Sequence, residues 1–123
     1  MKTILIVEDT DINIDLLTQI LEDDYSLLVA KDGAQGVRMA QENSPDLILM
    51  DVRMPRMTGY EACKVMKSRP DLKDIPIVFL TARGQESEIQ QGLEAGAEEY
   101  LLKPFAPDQL TTRVKAILMK FGK

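Results

Sequence analysis

Five short apolar runs, separated by amphipathic stretches, constrain this chain more than any other feature. The runs are "TILIV" (3–7), "SLLVA" (26–30), "LILM" (47–50), "IVFL" (77–80) and "EEYLL" (98–102). Between them, Ile14, Leu17, Ile20 and Leu21 mark one helical face, and Ala34, Val37 and Ala40 mark a second. Ala62, Val65 and Met66 mark a third, Ile89 and Leu93 a fourth, and Leu110, Val114, Ile117 and Leu118 a fifth. Strands that are apolar on both faces fit a parallel sheet with helices covering both sides. The pattern predicts an α/β domain with a doubly wound parallel sheet of five strands and five helices. Asp32-Gly33, Ser44-Pro45 and Ala95-Gly96 punctuate the elements, and Pro76 suits the first position of a strand. Thr10 and Thr58 suit helix N-caps, and Pro107 suits a helix start.

A length of 123 residues predicts one domain, 1–123, with no output domain and a core that needs neither disulfides nor metal. The net charge of −5 argues against direct contact with nucleic acid or an anionic membrane. No apolar run approaches the roughly 20 residues of a membrane span, and "MKTILIVEDT" is too short for a signal peptide and lacks a small-residue cleavage site. The single cysteine, Cys63, permits no intrachain disulfide and points to a cytoplasmic setting. With one Cys and no His, any metal must be held by oxygen, hence Mg²⁺, Mn²⁺ or Ca²⁺.

In an open parallel sheet, ligands bind beyond the carboxyl ends of the strands. There the first strand runs into Glu8-Asp9, the third into Asp51, the fourth into Thr81-Ala82 and the fifth into Lys103-Pro104. Neighbouring carboxylates raise one another's pKa or call for a cation, and Mg²⁺ takes carboxylate, water and phosphate oxygens. A metal on one side and Lys103 on the other would leave an Asp51 oxygen free to attack phosphorus, with Thr81 as a donor to a phosphoryl oxygen. Each residue also has an ordinary role. Glu8 and Asp9 suit a helix N-terminus, Asp51 suits a loop with a local backbone bond, Thr81 suits a cap, and Lys103 suits a solvated surface. Arg53 and Arg56 read as exposed loop charges, Tyr100 as core packing with a polar tip, and Met50, Met54 and Met57 as gap-fillers. Cys63 reads as a buried, inert thiol. It is the joint placement at four strand ends that favours a site.

The segments "ILIVEDTDIN" (4–13), "PDLILMDVRMPRMTGYE" (45–61), "PIVFLTA" (76–82) and "GAEEYLLKPF" (96–105), in this order and spacing, resemble the receiver domain of bacterial two-component response regulators. The resemblance covers essentially the whole chain and implies a flavodoxin-like sheet of order 2-1-3-4-5. It implies that Asp51 is a phosphoacceptor served by a histidine kinase or phosphotransfer protein. It further implies Mg²⁺, with Mn²⁺ as a substitute, held by Asp9, Asp51 and the backbone carbonyl of Arg53, with Glu8 acting through water. Thr81 and Lys103 correspond to the hydroxyl and lysine that contact the phosphoryl group, Tyr100 to the aromatic switch, and Lys103-Pro104 to the family's cis peptide. Arg53 and Arg83 stand where the family faces the attacking water, and are expected to tune the lifetime of the phosphorylated state. The site differs from the family's usual Asn or Asp at Thr10.

The expected function is a phosphorylation switch acting on a downstream protein target through the surface of helix four, strand five and helix five, as a monomer or a phosphorylation-dependent dimer. It is expected to be no enzyme with a separate substrate. An aspartate-nucleophile phosphohydrolase shares the strand-end Asp, but carries a second Asp two residues on, where this chain has Arg53. A flavin carrier shares the fold, but "EDTDIN" would repel the flavin phosphate. A receiver used only for docking would not need all of the site residues present here.

Overall fold

The computed structural model describes residues 1–82, 86–103 and 106–121, and the side chains of residues 81–89 lie outside that description. Its elements alternate without exception: β1 (Thr3–Val7), α1 (Asp11–Leu21), β2 (Ser26–Ala30), α2 (Gly33–Asn43), β3 (Leu47–Asp51), α3 (Gly59–Lys67), β4 (Ile77–Ala82), α4 (Glu86–Glu94), β5 (Glu99–Lys103) and α5 (Pro107–Phe121). The strands form one parallel sheet in the order β2-β1-β3-β4-β5. Ladder pairing carries β3 through Asp51 and β4 through Ala82, beyond the apolar runs, while β5 lies one residue later than "EEYLL".

The apolar runs are continuous because both faces of the sheet are covered. Ile4, Ile6, Leu47, Leu49, Val78 and Leu80 point to one side, where α1 brings Leu17 and Leu21 and α5 brings Leu110, Val114, Ile117 and Leu118. Leu5, Val7, Ile48, Met50, Ile77 and Phe79 point to the other side, toward Ala40 of α2 and Ala62, Cys63 and Met66 of α3. At about 1.5–3 kcal/mol per buried large aliphatic side chain, such faces outweigh helix propensity as the reason these segments are helical.

Three predicted helix faces need correction. On α2, Ala34 is exposed, and the buried stripe is Gly33, Gly36 and Ala40. The helix lies so close to β1 that a Cβ on Gly36 would sit 3.0 Å from Val7, so glycine does the packing there. On α3, Val65 is 38% exposed and Cys63 takes its place inside. On α4, Leu93 is 41% exposed, whereas Gly92 is buried; the side chain of Ile89 is outside the described residues. The α5 face is as predicted, and Pro107 begins that helix. Thr58 caps α3 through a reciprocal pair, its hydroxyl accepting from the Glu61 N–H while the Glu61 carboxylate accepts from the Thr58 N–H. Thr10 occupies the N-cap of α1 without a side-chain bond. Its N–H is instead taken by the Glu8 carboxylate at 3.1 Å.

Candidate functional site

Parallel register assembles the acidic site. Val7 pairs with Met50 and Asp51 pairs with Leu80, so the residues following β1 emerge beside the end of β3. There Glu8, Asp9 and Asp51 each offer a carboxylate oxygen, all within 4.8 Å of one another. Lys103, at the end of β5, extends its Nζ to 3.4 Å from Asp51 Oδ1 and 3.5 Å from Glu8 Oε1. Glu8 is fully buried, Asp51 is partly buried and Asp9 is exposed.

The electrostatics follow from that placement. Burial pushes the Glu8 carboxyl above its usual range, and the nearby Asp51 charge adds to this, while the Thr10 N–H and Lys103 act against it. Asp51 is likewise raised, first by burial and further by Asp9, against the pull of Lys103 and a hydrogen bond from the Arg53 backbone N–H. Three close carboxylates form a donor set for a hard divalent cation, which takes oxygen ligands and tolerates water among them. The residues present fit Mg²⁺ or Mn²⁺, with Glu8, Asp9 and Asp51 as the groups that would hold it.

Lys103 is thus paired into the site rather than solvated, and Glu8 does contact the start of α1, although it is fully buried. The backbone of Thr81 lies in β4 opposite Leu102, but its side chain is outside the described residues, as are Arg83 and the Lys103-Pro104 peptide. Tyr100 is opposite Phe79 on edge strand β5 and is 36% exposed, so the core-packing reading does not hold. Among the described residues, no further strand lies beyond β5 to cover it. Leu102 and Leu93 are also exposed along β5 and α4. Arg53 and Arg56 are exposed loop residues, whereas Met50 and Met54 are buried and Met57 is half-buried. An open groove of about 890 Å³ leads from Asp9 past Arg53 and Tyr60 to Gln91 of α4. Cys63 is fully buried, with its thiol pushed up to about 11 by burial and its Sγ donating to the Ala95 carbonyl at 3.6 Å.

Residue-pattern reasoning missed two features. Lys67 of α3 donates to the Lys73 and Ile75 carbonyls and to the Glu98 carboxylate at 2.9–3.1 Å, joining the α3–β4 and α4–β5 connections at the amino-terminal end of β4. Tyr60 meets Phe79 edge-on at 5.4 Å beneath the groove. Neither pair is signalled by sequence spacing.

The receiver-domain model for response regulators matches residues 4–115. The alkaline phosphatase synthesis transcriptional regulatory protein PhoP of Bacillus subtilis is 39% identical over 97% of this chain, which covers 49% of that protein. The chain thus spans about half the length of the curated relatives it matches. A putative response regulator from Chloroflexus aurantiacus superposes with a TM-score of 0.92 at 39% identity, covering 96% of this chain and 98% of that one. The receiver domain of sensor histidine kinase PA1611 from Pseudomonas aeruginosa, solved with a magnesium ion coordinated in its active site cleft, superposes with a TM-score of 0.87 at 32% identity, covering 99% of this chain and 98% of that one.

Proposed function

The chain belongs to the response regulator receiver domain family, and on that premise we propose that it is a phosphorylation switch whose phosphoacceptor is Asp51. One observation carries this reading: at the end of the central strand, the Asp51 carboxylate is grouped with two other acids, and the Lys103 ammonium lies 3.4 Å from it. The donor is the phosphohistidine of a histidine kinase or phosphotransfer protein. An Asp51 oxygen attacks phosphorus, the P–N bond breaks, and its electron pair stays on the imidazole nitrogen. An acyl phosphate remains on Asp51.

Lys103 is placed to answer the charge of the transferred group, and the Arg53 N–H to orient the Asp51 carboxylate. A divalent ion held by Glu8, Asp9 and Asp51 supplies further positive charge when bound. Thr81 then contacts the phosphoryl oxygens, and the exposed face of α4, β5 and α5 around Tyr100 changes its fit to a protein partner. Arg53, on the groove beside the site, and Arg83 tune hydrolysis of the acyl phosphate. The chain turns over no separate substrate. Among the described residues, no helix is long and apolar enough to cross a membrane.

The test is phosphoryl uptake from acetyl phosphate with Mg²⁺. Wild type takes up label and Asp51→Asn takes up none; label persisting in the variant would mean that another residue is the acceptor.

A further inference from the structure

The packing between Asp51 and α4 contains a path that this reading does not use. Gly59, the first residue of α3, donates its N–H to the Val52 carbonyl at 2.9 Å. A Cβ at Gly59 would lie 2.4 Å from the Asp51 carbonyl oxygen and 2.9 Å from the Phe79 ring, closer than real Cβ atoms come. From the other side, a Cβ on Gly92 of α4 would lie 2.8 Å from the same ring and 3.4 Å from Tyr60. Phe79 is 2% exposed, and Tyr60 braces its edge at an interplanar angle of 67°. One aromatic ring is therefore held between two glycines. One of them rests on the peptide of Asp51 and the other belongs to α4, and neither contact has room for a methyl group.

A close-packed interior passes displacement on rather than absorbing it. We propose that Phe79 is a positioning residue coupling Asp51 to α4: movement of the Asp51 peptide and of α4 are linked through Gly59, the Phe79 ring and Gly92, in parallel with any route through Thr81 and Tyr100. The inference rests on Asp51 being the phosphoacceptor. By reciprocity, displacing α4 must change the affinity of Asp51 for a phosphoryl-like group by the factor with which that group displaces α4.

The experiment uses beryllium fluoride with Mg²⁺ as a phosphoryl mimic, and follows the amide resonances of Gln90 to Glu94. In the wild-type chain the mimic binds and these resonances move. Gly92→Ala changes the affinity for the mimic by roughly 2–30-fold, and Gly92→Ala with Phe79→Leu returns it toward the wild-type value. Leu118→Ala, in the opposite core, lowers the melting temperature and leaves the affinity unchanged. A folded Gly92→Ala with wild-type affinity overturns the coupling, since a purely structural contact would move only the melting temperature. Should Gly92→Ala fail to fold, Phe79→Leu alone reports: a reduced α4 response supports the coupling and a full response overturns it. Mimic binding in wild type with unmoved α4 resonances refutes the coupling while leaving the phosphoacceptor reading intact. No binding in wild type refutes both.

Discussion

Replacing Lys103 with methionine keeps much of the side chain's volume and removes the charge that faces Glu8 and Asp51. At an effective dielectric constant of about 20, each contact, at 3.5 and 3.4 Å, represents about 5 kcal/mol of gross attraction. Most of that offsets the cost of drawing the three charges out of water. Breaking a buried pair costs about 3–5 kcal/mol, and the 28% exposure of the Lys103 side chain places the expected net loss near the lower figure, about 3 kcal/mol. The loss must also depend on pH. Glu8 and Asp51 are both raised above their ordinary values of 4.5 and 3.8, so the folded chain binds these protons more tightly than the unfolded one. Stability therefore falls as pH rises from those ordinary values through the raised ones. Lys103 lowers both groups, so its removal raises them further and extends that window upward. Urea denaturation followed by circular dichroism, without divalent ions, should show the full deficit of Lys103→Met near pH 8 and a smaller one near pH 5. Saturating Mg²⁺ should shrink the deficit at the higher pH. An equal deficit at both pH values would show that the loss is one of packing and refute the electrostatic reasoning.

Lys67→Met should cost about 2–4 kcal/mol in the same assay, because a side chain only 14% exposed loses its bonds to Glu98 and to the Lys73 and Ile75 carbonyls. A cost below about 1 kcal/mol would place this pair among ordinary surface ion pairs. Thr58→Ala removes one half of the reciprocal cap on α3 and should cost about 1 kcal/mol, read as a melting-temperature drop of a few degrees. The Cys63 thiol, fully buried and raised to about 11, should resist iodoacetamide in the folded chain near pH 8 and react freely in urea. Native labelling at the rate of a free thiol would contradict that burial.

The strands and the α5 face were legible because buried parallel strands are written as uninterrupted apolar runs, and α5 lays regularly spaced aliphatic residues on the sheet face it shares with α1. The faces of α2 and α4 were misread for one physical reason: counting apolar side chains overlooks contacts made by backbone. Gly36 touches Val7 and Gly92 touches Phe79 because they lack a side chain. The cluster of Glu8, Asp9, Asp51 and Lys103 could be suspected from strand ends, since parallel strands deliver their carboxyl ends to one edge. Strand order, which decides that Glu8 emerges beside Asp51, came from the family resemblance rather than from the residue pattern. Lys67 and Glu98, 31 residues apart, have no periodic relation that would announce their pairing. The core-packing reading of Tyr100 failed because an aromatic residue in an apolar run looks buried, whereas β5 is an edge of the sheet.

Chemical trapping tests the central claim most directly, because an acyl phosphate is reduced by borohydride at the carbon that carried the phosphoryl group. The protein would be incubated with acetyl phosphate and Mg²⁺, quenched with sodium borohydride, digested, and sequenced by mass spectrometry. The account predicts homoserine at position 51, absent from Asp51→Asn and absent when a chelator removes the divalent ion. Homoserine at position 9, or a phosphoryl group recovered on another side chain while Asp51 stays unmodified, would contradict it.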